Sequence, residues 1–150
     1  AHAQASGVDG LIIPDLPPEE AAVLIGAART RGLATVFFVA PTTRPERLRR
    51  IVEQATGFIY YVSVAGVTGA RTALPRDLLA KVRQTKALTD KPVCVGFGVS
   101  SPDQVRAVAA VADGVIVGSA IIKEIDRQAG QADQVERVGR FVGRLARGVA

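Results

Sequence analysis

Residues 58–71 read FIYYVSVAGVTGAR, and two patterns meet inside them. Positions 58–64 form an apolar, aromatic and β-branched run broken only by Ser63, the composition of a strand. Glycines follow at 66 and 69, with Thr68 between them. Glycine lacks a Cβ, so it takes positive φ and lets a ligand approach the backbone. At a strand's end, such a stretch is a turn, a mobile loop or a cradle for an anion. Within the strand, alternation puts Phe58, Tyr60 and Val62 on one face and Ile59, Tyr61 and Ser63 on the other. It leaves open which face is interior.

The same unit recurs. GLIIP (10–14), TVFFVA (35–40), FIYYVSV (58–64), PVCVGFG (92–98) and GVIVGSA (114–120) are short and almost continuously apolar. That suits parallel strands buried on both faces. Helical patterns separate them. PEEAAVLIGAARTRG opens on Pro18 and two glutamates and closes at Gly32. TRPERLRRIVEQA sets Thr43 and Glu46 at capping-box spacing, with Leu48, Ile51 and Val52 as its apolar stripe. SPDQVRAVAAV repeats the device with Ser101 and Gln104, and residues 75–88 and 131–148 supply two more helices. Strict alternation of this kind means crossover connections and a parallel sheet.

Two architectures fit, an open doubly wound sheet and part of a (β/α)₈ barrel. A whole barrel takes about 250 residues. Five units in 150 residues match a barrel lacking its N-terminal part, a single domain over 1–150. The absence of an initiator Met, and a start that reads as mid-helix, point the same way.

Composition narrows the function. The chain is 48% hydrophobic and 22% charged, as in ordinary globular proteins, and no apolar run approaches a membrane span of about 20 residues. AHAQASGVDG has neither the basic region nor the apolar core of a secretory signal. A single cysteine excludes an internal disulfide, and Cys94 reads as a small buried apolar residue. His2 is the only histidine, which disfavours a Ser-His-Asp triad or a His-rich metal site. The net charge of +5 comes from arginines scattered over helical segments, without the interleaved aromatics of a nucleic-acid surface.

Ligands in either architecture bind at the C-terminal ends of the strands. Those ends read PDLPP, APTTR, AGVTGAR, GFGVSS and GSAIIKE, with glycines crowding the last three. GSAIIKEID reads as a short helix with Ser119 at its start, and a helix N-terminus favours phosphate without any lysine. Gly32 and Gly57 read as helix stops; Gly98 could merely end a strand. Gly69, Gly98 and Gly118, each at the end of a successive strand, together point to phosphate. Phe38 and Phe97 are core residues by default, yet near strand ends they suit a flat apolar substrate. Asp15 reads as a turn or cap residue, and no pair of carboxylates is placed for acid–base work.

GVDGLIIPDLPPEE, FVAPTT, FIYYVSVAGVTGAR, VGFGVSSPDQV and ADGVIVGSAIIK resemble the successive signatures of the tryptophan synthase alpha chain family, from Gly7 to Lys123 and loosely beyond. The resemblance implies a (β/α)₈ barrel with these five strands as its fourth to eighth. It implies a cytoplasmic enzyme that cleaves indole-3-glycerol phosphate to indole and glyceraldehyde 3-phosphate. Its expected partner is a pyridoxal-phosphate-dependent beta chain in an α2β2 assembly, with no cofactor in this chain. Carried over residue by residue, phosphate falls on Gly69, Gly98, Gly118 and Ser119. The indole and glycerol pocket falls on Tyr60 and Phe97, with Phe38 a weaker match. Thr68 matches the threonine of a mobile loop, and Asp15 and Pro17 a region facing the beta chain. The family's catalytic glutamate and aspartate match nothing here, because they lie upstream of Ala1. The competing readings are another phosphate-sugar barrel enzyme and a non-catalytic module that binds phosphate or a partner.

Overall fold

The computed structural model describes residues 2–63, 75, 77–96 and 98–149. In chain order the elements are α1 (His2–Ala5), β1 (Gly10–Ile12), a 3₁₀ turn (Pro18–Glu20), α2 (Ala22–Arg29), β2 (Ala34–Val39), α3 (Pro45–Gln54) and β3 (Ile59–Val62). There follow α4 (Leu78–Lys86), β4 (Val93–Gly96), α5 (Pro102–Ala109), β5 (Gly114–Val115), α6 (Ser119–Arg127) and α7 (Gln134–Ala146). All five strands pair in parallel, in the order β1-β2-β3-β4-β5.

That order separates the two architectures. A five-stranded doubly wound sheet reverses direction once, as in 2-1-3-4-5, and so places helices on both faces. Here each strand is added beside the last, which is how a (β/α)₈ barrel is wound. Burial agrees. Thr35, Phe37, Val39, Ile59, Tyr61, Val93 and Val95 are buried beneath the helices. Their alternates Phe38, Tyr60 and Cys94 are only half-buried, and Ile12 is 44% exposed. The sheet therefore has one covered face and one open face, the barrel's interior side. The expectation of strands buried on both faces holds on the helix side, and on the open face for Val36 and Gly96.

A continuous cluster fills the space between sheet and helices, with Ile51 and Val52 of α3, Leu78 and Val82 of α4, Val105 and Val108 of α5 and Leu145 of α7. The α3 stripe expected from its spacing is among them. Local signals fared unevenly. Gly32 ends its helix as expected, at φ 66°, while the Leu33 N–H donates back to the Ala28 carbonyl at 3.0 Å. Ser101 and Gln104 form the full capping box at the start of α5. Thr43 does not cap α3. Pro45 occupies the first helical position, so Arg44 becomes the N-cap and the Thr43 hydroxyl accepts from the Ala40 N–H at 2.9 Å.

Gly57 is no helix stop either. A Cβ there would lie 3.1 Å from Val36 Cγ2 and 3.2 Å from the Ala34 Cβ, so glycine lets this turn close against β2. The N–H groups of Thr56 and Gly57 both donate to the Thr35 carbonyl, which fixes the approach to β3.

Candidate active site

Parallel register assembles the open face row by row. Phe38 lies opposite Tyr60, Tyr60 opposite Cys94, and Cys94 opposite Gly114, so one row crosses four strands. The rings of Phe38 and Tyr60 stand 4.8 Å apart at 36°, an aromatic contact, and the Phe58 ring lies 6.4 Å from that of Tyr60. Tyr60 faces the open side and Tyr61 the helices, which answers the question that alternation left open. Burial pushes the Tyr60 phenol above its ordinary range, so it stays protonated at neutral pH.

The missing side chains of β4 and β5 shape this wall as much as the aromatics do. A Cβ on Gly96 would come within 2.7 Å of Tyr60 Cζ, so the ring lies across the bare backbone of β4. A Cβ on Gly114 would meet Cys94 Sγ at 2.8 Å. Cys94, expected to be a small buried apolar residue, is only partly buried. It sits half-buried on the open face, and burial, reinforced by the charge of Asp113, pushes its thiol upward and away from thiolate chemistry. Gly96 was not singled out from sequence. The signal was present, since within VCVG the two valines share one face and the two small residues the other.

Beyond the C-terminal ends of β4 and β5 lie two features suited to an anion. Gly98 adopts φ 82°, the left-handed region that disfavours a side chain. The segment after it is pinned from α5: the N–H groups of Ser100 and Ser101 and the Ser100 hydroxyl all donate to Gln104 Oε1, at 2.8–3.2 Å. Next door, Gly118 caps α6 at φ −117°, and a Cβ there would meet nothing within 4 Å. Glycine at 118 leaves the space before the helix empty; positive φ is not its reason. Ser119 opens α6 and is exposed. Its N–H and that of Ala120 make no hydrogen bond among the described residues, as expected of a helix's first donors. Such donors, with the partial positive charge of the helix end, favour phosphate.

The structure therefore places Phe38 and Tyr60 together on the open face, and Gly98, Gly118 and Ser119 at the rim beyond adjacent strands. Phe97, Thr68 and Gly69, also expected in the site, lie outside the described residues. Asp15 is exposed in the turn after β1. Among the described residues, no strand position on the open face carries a carboxylate: these are Gly10, Ile12, Ala34, Val36, Phe38, Tyr60, Val62, Cys94, Gly96 and Gly114. Among the described residues, no helix is long and apolar enough to cross a membrane.

Comparison with known proteins agrees with the barrel architecture. The family model for the tryptophan synthase alpha chain matches residues 1–150. The tryptophan synthase alpha chain of Citrifermentans bemidjiense is 48% identical over 147 residues, covering 98% of this chain and 55% of its own length. That of Gloeobacter violaceus is 50% identical over 138 residues, covering 91% and 49%. Among solved structures, a chain of the Pyrococcus furiosus tryptophan synthase α2β2 complex superposes with a TM-score of 0.86 at 40% identity, covering 97% of this chain and 58% of that one. Tryptophan synthase subunit alpha from Legionella pneumophila gives 0.84 at 36% identity, covering 98% and 54%. The chain spans about half the length of the curated relatives it matches. It belongs to the tryptophan synthase alpha chain family.

Proposed function

We propose that this chain supplies the substrate-holding part of a tryptophan synthase alpha chain, which cleaves indole-3-glycerol phosphate to indole and glyceraldehyde 3-phosphate in a cytoplasmic pathway of tryptophan biosynthesis. One observation carries the reading. The Phe38–Tyr60 wall on the open face leads to a rim where the left-handed Gly98 turn and the free N–H groups of α6 stand beyond neighbouring strands. A flat apolar ring fits the wall, and a phosphate fits the rim. The glycerol chain spans the distance between them.

Cleavage of the indole–glycerol bond needs a proton delivered to the ring carbon and another removed from a glycerol hydroxyl. Positioned carboxylates do such work. Among the described residues the open strand face offers none, and the acid–base pair is assigned to other strands of the barrel. Tyr60, still a neutral phenol, contributes ring surface rather than a base. Phe97 is assigned to the indole pocket, Gly69 to phosphate, and Thr68 to the loop that closes over substrate. The turn holding Asp15 and Pro17 is assigned to the side facing a beta chain, whose pyridoxal phosphate is that partner's own cofactor.

The test joins this chain to an alpha-chain N-terminal part carrying the missing carboxylates. The joined protein should release indole, and Tyr60→Ala should raise KM for indole-3-glycerol phosphate without changing the inhibition constant of glycerol phosphate. A joined enzyme indifferent to Tyr60→Ala would remove the open face from the site.

A further inference from the structure

The bonds of Gln104 exceed what the start of α5 requires. This residue is 8% exposed and stands at the third position of the helix. A capping box asks its side chain for one bond, from the N–H of the N-cap, here Ser101 at 3.2 Å. Gln104 Oε1 also accepts from the Ser100 N–H at 2.8 Å, the shortest of the three, and from the Ser100 hydroxyl at 3.2 Å. A carbonyl oxygen has two lone pairs, so three donors crowd it, and two of them come from the residue before the cap. Ser100 belongs to the turn that follows β4. Its neighbour Val99 is 3% exposed and sits in the core cluster between sheet and helices, so the turn is held from both sides. Ahead of these anchors stands Gly98, at φ 82°. Glycine populates positive and negative φ about equally, so Gly98 does not hold this conformation by itself. The residues after it do.

We propose that Gln104 is a positioning residue for the phosphate end of the substrate, acting through the Gly98–Ser101 turn rather than on the anion itself. The assignment rests on the reading of the rim given above. Its physical basis is preorganisation: a turn already held in place loses less conformational freedom when the ligand arrives. The choice of residue fits the role. Glutamate completes a capping box as well as glutamine does, but its charge would oppose an anion bound at the same turn. The neutral amide offers the oxygen without the charge.

The experiment is a ¹H–¹⁵N NMR titration of the 150-residue chain with glycerol 3-phosphate, with glycerol and sodium chloride together as the control. In the wild type the amides of Gly98, Gly118 and Ser119 should shift saturably, and the control should not move them. Gln104→Met keeps the length of the side chain and leaves the Ser101 hydroxyl to cap α5. It should weaken glycerol 3-phosphate about fivefold or more, as expected when a hydrogen-bonded anchor is lost. The shift at Gly98 should shrink far more than the shift at Ser119. Amide hydrogen exchange should quicken at Ser100 and Ser101, and Gln104→Glu, which keeps an oxygen in reach, should restore their protection. Ile51→Val trims a buried side chain on α3 and lowers stability from another helix. It should change the affinity by less than about twofold. Binding that Gly98→Val weakens and Gln104→Met does not would overturn the positioning role and leave the phosphate rim standing. Equal losses in Gln104→Met and Ile51→Val would overturn it too, as general destabilisation. A wild-type chain without saturable shifts would overturn the rim and this assignment together.

Discussion

The two faces of the sheet are built from the same strands and differ in what they are for. On the helix side, Phe37, Val39, Ile59, Val93 and Val95 are each no more than 4% exposed and interlock with side chains from four helices. On the open side, Phe38, Tyr60 and Cys94 are half-buried, and glycines at 96 and 114 replace side chains where the wall must be flat. The first face earns stability by excluding water. The second keeps apolar surface accessible and shapes it with absent atoms. The interior of a (β/α)₈ barrel is itself packed with side chains, so this apolar face is one that further strands cover as well as a ligand.

The largest expected effect is a difference between the faces. Ile59→Ala deletes a fully buried side chain and should cost about 2–5 kcal/mol, read from urea midpoints of the 150-residue chain. Phe38→Ala removes a larger side chain, yet one already half in contact with solvent, and should cost less than half as much. Equal losses would mean that the open face is a folding core like the other.

Next is the rim. Gly98 holds φ 82°, and forcing valine into that region costs about 1–3 kcal/mol, or roughly a 5- to 150-fold loss of glycerol phosphate affinity if the strain is relieved by moving the loop. Lys123→Ala should change it by less than about twofold, since one exposed charge at a helix flank is screened. The reverse order would transfer phosphate recognition from backbone to side-chain charge. Gly96→Ala comes third. Its Cβ would press on the Tyr60 ring, an overpacking worth about 1–3 kcal/mol. It should raise KM for the indole-bearing substrate more than it disturbs phosphate binding.

The smallest effect is one of pH. The Lys86 ammonium, and then the Val93 N–H, hold the Asp113 carboxyl below its ordinary range. A carboxylate lowered in the folded state adds stability above its unfolded pKa of about 3.9 and loses it as pH falls through the lower folded value. With both side chains more than a third exposed, the contribution stays within about 1 kcal/mol. Asp113→Asn should flatten the stability profile below about pH 4 and leave it unchanged in shape near neutrality.

Much of the fold was legible in the sequence because parallel barrels repeat one unit. Five apolar runs became five strands, and the Ser101–Gln104 box formed because nothing competed with it. Strand order was not legible, since alternating elements say what is parallel and not who neighbours whom. Thr43 misled because a proline one residue inside the helix outranked its capping spacing. Gly57 and Gly96 share a further lesson: their value lies in contacts with residues distant in sequence, which spacing does not reveal. Of the site, Tyr60 and Phe38 could be named as candidates; their face could not, because period-two alternation is symmetric until one side is covered.

The central claim is that holding substrate and moving its protons belong to different parts of the barrel. The most direct measurement assays the purified 150-residue chain, free of host enzyme, for glycerol phosphate binding and for indole release from indole-3-glycerol phosphate. Weak binding with no detectable indole is the predicted result, since acid–base groups each contribute about 10²–10⁴-fold in rate. Indole release by the unassisted chain would place the chemistry within these residues and contradict the account.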